Sequence, residues 1–237
     1  MDLFIIPGNP PALYFYKLWA EEIQREYAGC SVCISPYPEL PVSDDSPRYL
    51  SATAAAHGRE LLAFHESVKK PVTVIGHSLG GWMSLRLLEE HGAIIKECLL
   101  LYPFLRMPSL KGRTILKSTR SLYRVPFIKD FLFDCRGILQ RFFRNLRYVT
   151  DEELRTGLAM AYHEHNIIGR YKGALQIPER LRAKLHMIYC DEDTWCPSHT
   201  VNEMKKWISC ERTDATHGFI TSAQERAIVL KTLLRSS

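Results

Sequence analysis

The sequence predicts an α/β protein: a mostly parallel, doubly wound sheet of about six strands with a helical cap inserted after the fourth. Three observations predict it. Short apolar runs alternate with segments whose apolar residues recur every three or four positions, the two periodicities of strand and crossover helix. That alternation breaks once, over residues 106–182. The break coincides with a change in charge: residues 106–182 hold 16 basic and 7 acidic residues, a net +9, whereas the other 160 hold 15 and 19, a net −4. The overall +5 is therefore a sum of two unlike parts.

Each element follows from local pattern. Residues 3–6, 31–35, 71–75, 98–102, 185–189 and roughly 210–214 are short apolar runs and read as strands buried on both faces. Residues 12–27, 49–67, 79–90, 198–208 and 222–234 carry apolar side chains at helical spacing and read as crossover helices. A loop rich in Pro, Ser and Asp, residues 35–47, joins the second strand to its helix. These segments place the sheet body in residues 1–105 and 183–237, and the mostly helical cap in residues 106–182. The best cap helix spans 127–147: Phe131, Leu132, Leu139, Phe142, Phe143 and Leu146 fall on one stripe, and Lys129, Arg136, Arg144 and Arg147 on the other side. Such a helix suits a cap that buries its stripe over the core, and equally a helix that lies on a lipid surface.

Composition excludes several classes. With 46% hydrophobic and 24% charged residues, the chain can build a core and is not intrinsically disordered. Its longest apolar run, residues 98–105, is far too short to span a bilayer. The first residues show neither a basic flank nor an apolar stretch of signal-peptide length, and seven cysteines without a regular framework fit a reducing compartment. An intracellular, cytoplasmic location is expected.

The chemistry centres on Gly76-His77-Ser78-Leu79-Gly80, a G-x-S-x-G pattern that follows a strand and opens an amphipathic helix. That context defines a nucleophile elbow, in which a strained turn lifts the serine hydroxyl above the sheet. A serine hydroxyl is a weak nucleophile at neutral pH and needs a base, which in turn needs an orienting acid. Asp193, at the carboxyl end of the strand 185–189, is the expected acid, with Asp191 and Glu192 as neighbouring competitors. Of nine histidines only His199 and His217 follow Asp193, and His199 begins a helix, so His217 is the expected base. The oxyanion of a tetrahedral intermediate needs backbone donors. Leu79, after the nucleophile, supplies one; the loop Pro7-Gly8-Asn9-Pro10-Pro11 supplies the other, and because proline has no N–H the expected donor is Asn9.

Weaker signals are set aside. Cys30 and Cys33 have redox-motif spacing but overlap a strand, and His163-Glu164-His165 lacks a complementary ligand set, so no metal is expected. No G-x-G-x-x-G or P-loop argues for a nucleotide cofactor, and no recognised module argues for nucleic-acid binding.

Taken together, Ile6-Pro7-Gly8-Asn9-Pro10, the Ser78 elbow, the Asp193 turn and His217-Gly218-Phe219 resemble an α/β-hydrolase over nearly the whole chain. The Pro7-Gly8-Asn9-Pro10 opening, followed by Tyr14, Phe15 and Tyr16, resembles the lipid-droplet-associated hydrolase family. That resemblance implies a serine esterase or lipase-like activity on a lipid ester, a sterol ester among the candidates, and attachment to lipid droplets or membranes; the charge pattern offers the basic cap as the face for a peripheral contact. A thioesterase with the same Ser78, Asp193 and His217 is the near alternative. A lipid-surface binding protein with a vestigial triad is the alternative from another class.

Overall fold

A computed structural model describes residues 1–38, 46–124 and 148–236. The expected helix 127–147 and most of the expected loop 35–47 lie outside the described residues. Six strands, β1 (Asp2–Ile6), β2 (Ser31–Ile34), β3 (Val72–His77), β4 (Ile95–Leu101), β5 (Leu185–Tyr189) and β6 (Ser209–Arg212), form one sheet in the order β2-β1-β3-β4-β5-β6. Every neighbouring pair is parallel. Around it run helices α1 (Leu13–Glu26), α2 (Ser46–Val68), α3 (Leu79–His91), α4 (Leu110–Arg124), α5 (Asp151–Ile167), α6 (Glu179–Arg182), α7 (Ser198–Met204) and α8 (Ala223–Ser236). This is the α/β-hydrolase arrangement that the sequence predicts.

Side chains on a strand alternate between faces, so a sheet covered on both sides needs apolar residues at every position. Phe4, Ile6, Val72, Val74, Cys98 and Leu100 join one core with α2, α3 and α7, whereas Leu3, Ile5, Ile75, Leu99 and Leu101 join a second with α1 and α8. Trp19, with no exposed surface, anchors α1 in the second core by an edge contact with Phe219, ring centroids 5.2 Å apart. Burial of an aromatic or branched side chain of this size contributes about 1.5–3 kcal/mol.

Strand ends differ from the sequence expectation where polar residues interrupt the pattern. β4 begins at Ile95, three residues early, because Lys96 and Glu97 follow it and mask the strand; Glu97 lies 3.3 Å from His186 on the neighbouring strand. β3 continues through Gly76 and His77 up to the expected nucleophile. α7 ends at Met204 instead of continuing to 208.

Between β4 and β5 the chain leaves the sheet and forms α4, α5 and α6. α5 starts on a capping box: the Glu153 N–H donates to Thr150 Oγ1 (3.1 Å) and the Thr150 N–H to Glu153 Oε2 (2.7 Å). Asp151, Glu152 and Glu153 place negative charge at its positive end. At the root of the insert Arg106 pairs with Glu203 of α7, and Glu203 Oε1 also accepts the Leu175 N–H at 2.6 Å. One carboxylate thus ties both ends of the insert to the sheet body. The strand order reverses between β1 and β3, so the loop after β1 and the turn after β3 diverge there; in open α/β sheets ligands bind at such a crevice.

Candidate active site

Ser78 occupies the turn between β3 and α3 with φ 54° and ψ −116°, a left-handed conformation that a non-glycine residue adopts at a cost. Three contacts hold it there: the Ser78 N–H donates to Leu101 O (3.0 Å), and the Ser78 carbonyl accepts from Gly81 (3.0 Å) and Phe104 (2.9 Å). The flanking glycines are required by contact. A Cβ on Gly76 would lie 2.3 Å from both Gly80 O and Ser84 Oγ, and one on Gly80 would lie 2.2 Å from Ile6 O. The sharp turn is thus packed between two strands' ends.

The residues expected from sequence meet here. His217, in the loop between β6 and α8, places Nε2 3.0 Å from Ser78 Oγ and Nδ1 2.9 Å from Asp193 Oδ2. A carboxylate accepts only, so Nδ1 carries the proton and the Nε2 lone pair is turned to the serine hydroxyl. Asp193 Oδ1 accepts two further N–H groups, from Trp195 (2.7 Å) and Cys196 (3.0 Å). Burial alone would raise the Asp193 pKa, but the hydrogen bond and charge of His217 and these two backbone donors hold it below the usual carboxylate value. Its competitors stand elsewhere: Asp191 is exposed and paired with Arg212 at 2.6 Å, and Glu192 is an exposed turn residue with φ 59°. His199 is exposed at the start of α7.

The loop after β1 passes against the nucleophile, since a Cβ on Gly8 would lie 3.1 Å from Ser78 Cβ. The Gly8 N–H is already donated to the Tyr16 hydroxyl (2.7 Å), and Pro10 and Pro11 have none, which leaves Asn9 as the loop's next donor. The Asn9–Pro10 peptide bond is cis. Leu79 is the first residue of α3, so its N–H is one of the donors that a helix start leaves without an intrahelical partner.

Sequence reasoning missed three buried residues. Tyr16 donates its hydroxyl to His77 Nδ1 (2.5 Å) while accepting from Gly8. His77 Nε2 lies 2.9 Å from the His217 carbonyl oxygen. A carbonyl can only accept, so Nε2 is the protonated nitrogen and Nδ1 the acceptor. Burial, and then the neighbouring His217, lower the His77 pKa to about 3, which keeps this ring neutral. The third is Glu164 of α5, whose Oε1 accepts the Asn9 Nδ2–H at 2.7 Å. Only 4% exposed, it has its pKa raised to about 8 by burial, against the lowering effect of the Asn9 hydrogen bond. Its neighbours turn elsewhere: His163 stacks on Tyr49 (3.9 Å) and contacts Ser46 Oγ (3.0 Å).

A pocket of about 200 Å³ opens beside Ser78, lined by Asn9, Phe104, Leu116, Leu158, Trp195 and Glu164 among others. Leu116 comes from α4 and Leu158 from α5, so the insert forms part of the wall. Glu164 is its one ionisable lining group among the described residues.

Comparison with known proteins follows the same lines. The family model for lipid-droplet associated hydrolases matches residues 1–220. No curated protein matches the sequence significantly. Among solved structures, the RedJ thioesterase of prodiginine biosynthesis from Streptomyces coelicolor is 14% identical, with a TM-score of 0.62 over 98% of this chain and 89% of its own. A lipase-esterase related protein from Clostridium acetobutylicum is 12% identical, with a TM-score of 0.61 over 99% and 93%. A haloalkane dehalogenase from Agrobacterium tumefaciens is 14% identical, with a TM-score of 0.63 over 98% and 88%. Three chemistries on one scaffold establish the fold and leave the reaction to be argued from the site.

Proposed function

The chain belongs to the lipid-droplet associated hydrolase family, and from that premise we propose that it cleaves a carboxylic ester of a lipid through a Ser78 acyl-enzyme. The observation that carries this reading is the hydrogen-bonded series Ser78, His217, Asp193, which ends at an apolar pocket. Ser78 Oγ attacks the ester carbonyl carbon while its proton passes to His217 Nε2. Asp193 keeps the imidazole oriented and stabilises the imidazolium. The oxygen that gathers charge is met by the N–H groups of Asn9 and Leu79. The tetrahedral intermediate collapses, the C–O bond to the alcohol breaks, and His217 returns the proton to the departing oxygen. Water, deprotonated by the same ring, then attacks the acyl-enzyme and releases the fatty acid and Ser78.

Residues 106–182 serve as the cap in this reading: α4 and α5 supply apolar lining for the acyl chain. A fluorophosphonate probe is expected to label the wild-type protein and not Ser78→Ala, as read by gel fluorescence and peptide mapping. An unlabelled wild-type protein would rule the reading out. The same triad would hydrolyse a thioester, and a panel of matched oxygen esters and thioesters of increasing chain length separates the two and measures the acyl pocket.

A further inference from the structure

Helix α5 does more than line the pocket, because three of its residues grip the loop that carries Asn9. Glu164 Oε1 accepts the Asn9 Nδ2–H at 2.7 Å, near the end of the helix. Glu153 Oε1, in the first turn, accepts the Leu13 N–H at 2.7 Å. Between them Gly157 allows contact: a Cβ there would lie 3.0 Å from Asn9 Oδ1 and 3.1 Å from Pro10 Cβ. Residues 153, 157 and 164 are spaced by one turn and by about two, so they share a face of the helix. That face is laid along residues 9–13.

We propose that Glu164 is a positioning residue for the oxyanion loop: by holding the Asn9 side chain it fixes the Asn9 backbone N–H, so the oxyanion hole is complete only while α5 rests on the loop. The inference rests on the assignment of Ser78 as nucleophile and Asn9 as oxyanion donor. Its logic is geometric. A donor contributes to catalysis when it is already aimed at the developing charge, and a displacement of about 1 Å costs roughly 100-fold. Gly8 and the prolines around Asn9 give the loop few internal hydrogen bonds, so its aim depends on outside contacts, and among the described residues Glu164 makes the hydrogen bond to the Asn9 side chain.

Protonation sharpens the argument. Burial raises the Glu164 pKa to about 8, so near neutrality it is an uncharged acceptor. Above that pH a buried carboxylate would stand in the same pocket as the oxyanion and oppose it. Among the described residues the ionisable groups around it are few. Tyr37, from the segment after β2, and Tyr16 of α1 are both buried and held protonated, the Tyr37 hydroxyl donating to Pro7 O at 2.8 Å. His217 and Asp193 lie beyond Ser78, and His163 and His165 flank it on α5.

The test compares wild type, Glu164→Gln and Glu164→Ala on a short p-nitrophenyl ester from about pH 6 to 9.5. Far-UV circular dichroism confirms folding of each. Glu164→Ala is expected to lose kcat about 10- to 100-fold with KM within about threefold. Glu164→Gln keeps the acceptor and is expected to stay within about threefold of wild type at pH 7 and to lack the wild-type decline above about pH 8. Retention of wild-type kcat by Glu164→Ala, a change confined to KM, or an equal fall in both variants would overturn the proposal. Hydrogen exchange of the peptide containing Gly8, Asn9 and Leu13 gives a readout independent of turnover: exchange is expected to rise in Glu164→Ala and not in Glu164→Gln, and unchanged exchange in the alanine variant also overturns it. A wild type that neither hydrolyses esters nor reacts with the fluorophosphonate sinks the catalytic reading instead, and the exchange result still decides whether Glu164 holds the loop.

Discussion

A buried carboxyl that stays protonated reverses the usual relation between an acid and stability. Glu164 titrates near the ordinary carboxylate value of 4.5 when unfolded and at about 8 when folded. Between those values the folded protein holds a proton that the unfolded chain has released, so stability falls as pH rises through the window. The effect is absent below about pH 4.5 and complete above about pH 8. Glu164→Gln carries the same neutral amide-like shape without the proton. It should therefore match wild type near pH 4.5 and exceed it by on the order of 3 kcal/mol at pH 7, as measured by urea titration at a series of pH values. A stability difference that does not vary with pH would show that Glu164 is ionised in the folded protein. Asp193 acts in the opposite sense: its pKa is lowered, so its contribution is present above the usual carboxylate range and is lost as pH falls through the depressed value.

At the scale of elements, the site depends on how loops after different strands are joined. Tyr16 of α1 links two of them, accepting the Gly8 N–H of the loop after β1 and donating to His77 at the end of β3. His77 then donates to the carbonyl of His217, in the loop after β6. Tyr16→Phe would strand a buried N–H and a buried ring nitrogen at once. A loss of about 2–3 kcal/mol in stability is expected, with a fall in kcat that exceeds any change in KM, since both Gly8 and the His217 loop lose a fixed reference. Chemical denaturation and ester kinetics on the variant measure the two effects, and unchanged values for both would show the relay to be incidental. None of this chain of contacts was legible in the sequence. Tyr16 and His77 lie 61 residues apart, and Asn9 and Glu164 lie 155 apart, distances at which no periodicity operates. The strands were legible because burial on both faces demands continuous apolar runs, and Ser78, Asp193 and His217 because each sits where a strand hands over to a loop. Glu164 was visible only as part of His163-Glu164-His165, and adjacent residues on a helix point to different sides, which separates them as a cluster. The better signal was Thr150-Asp151-Glu152-Glu153, the capping box that starts α5 and sets the face on which Glu164 falls.

On the scale of the whole molecule, charge and exposed apolar surface coincide on the insert. Residues 106–182 carry a net +9 and the rest of the chain −4, so the positive charge is concentrated in the segment that leaves the sheet. The expected helix 127–147 lies outside the described residues, and α4 is the described cap helix with an exposed apolar and basic face. There Leu110 is 72% exposed and Ile115 42%, beside the exposed Lys111 and Lys117, and Ile115 also lines the pocket. Among the described residues no helix is long and apolar enough to cross a membrane, so contact with a lipid surface through this face would be peripheral. Each basic residue near an anionic surface contributes about 1 kcal/mol, and screening by salt weakens it. Wild-type protein is expected to sediment with vesicles that contain phosphatidylserine, and to release as salt rises from about 0.05 to about 0.5 M. Leu110→Asp combined with Lys111→Glu should weaken that binding several-fold while turnover of a soluble short-chain ester is retained, because neither residue lines the pocket. Equal vesicle binding by wild type and the double variant would move the lipid-facing surface away from α4, and loss of soluble-ester turnover would show that α4 acts on the site and not on the interface.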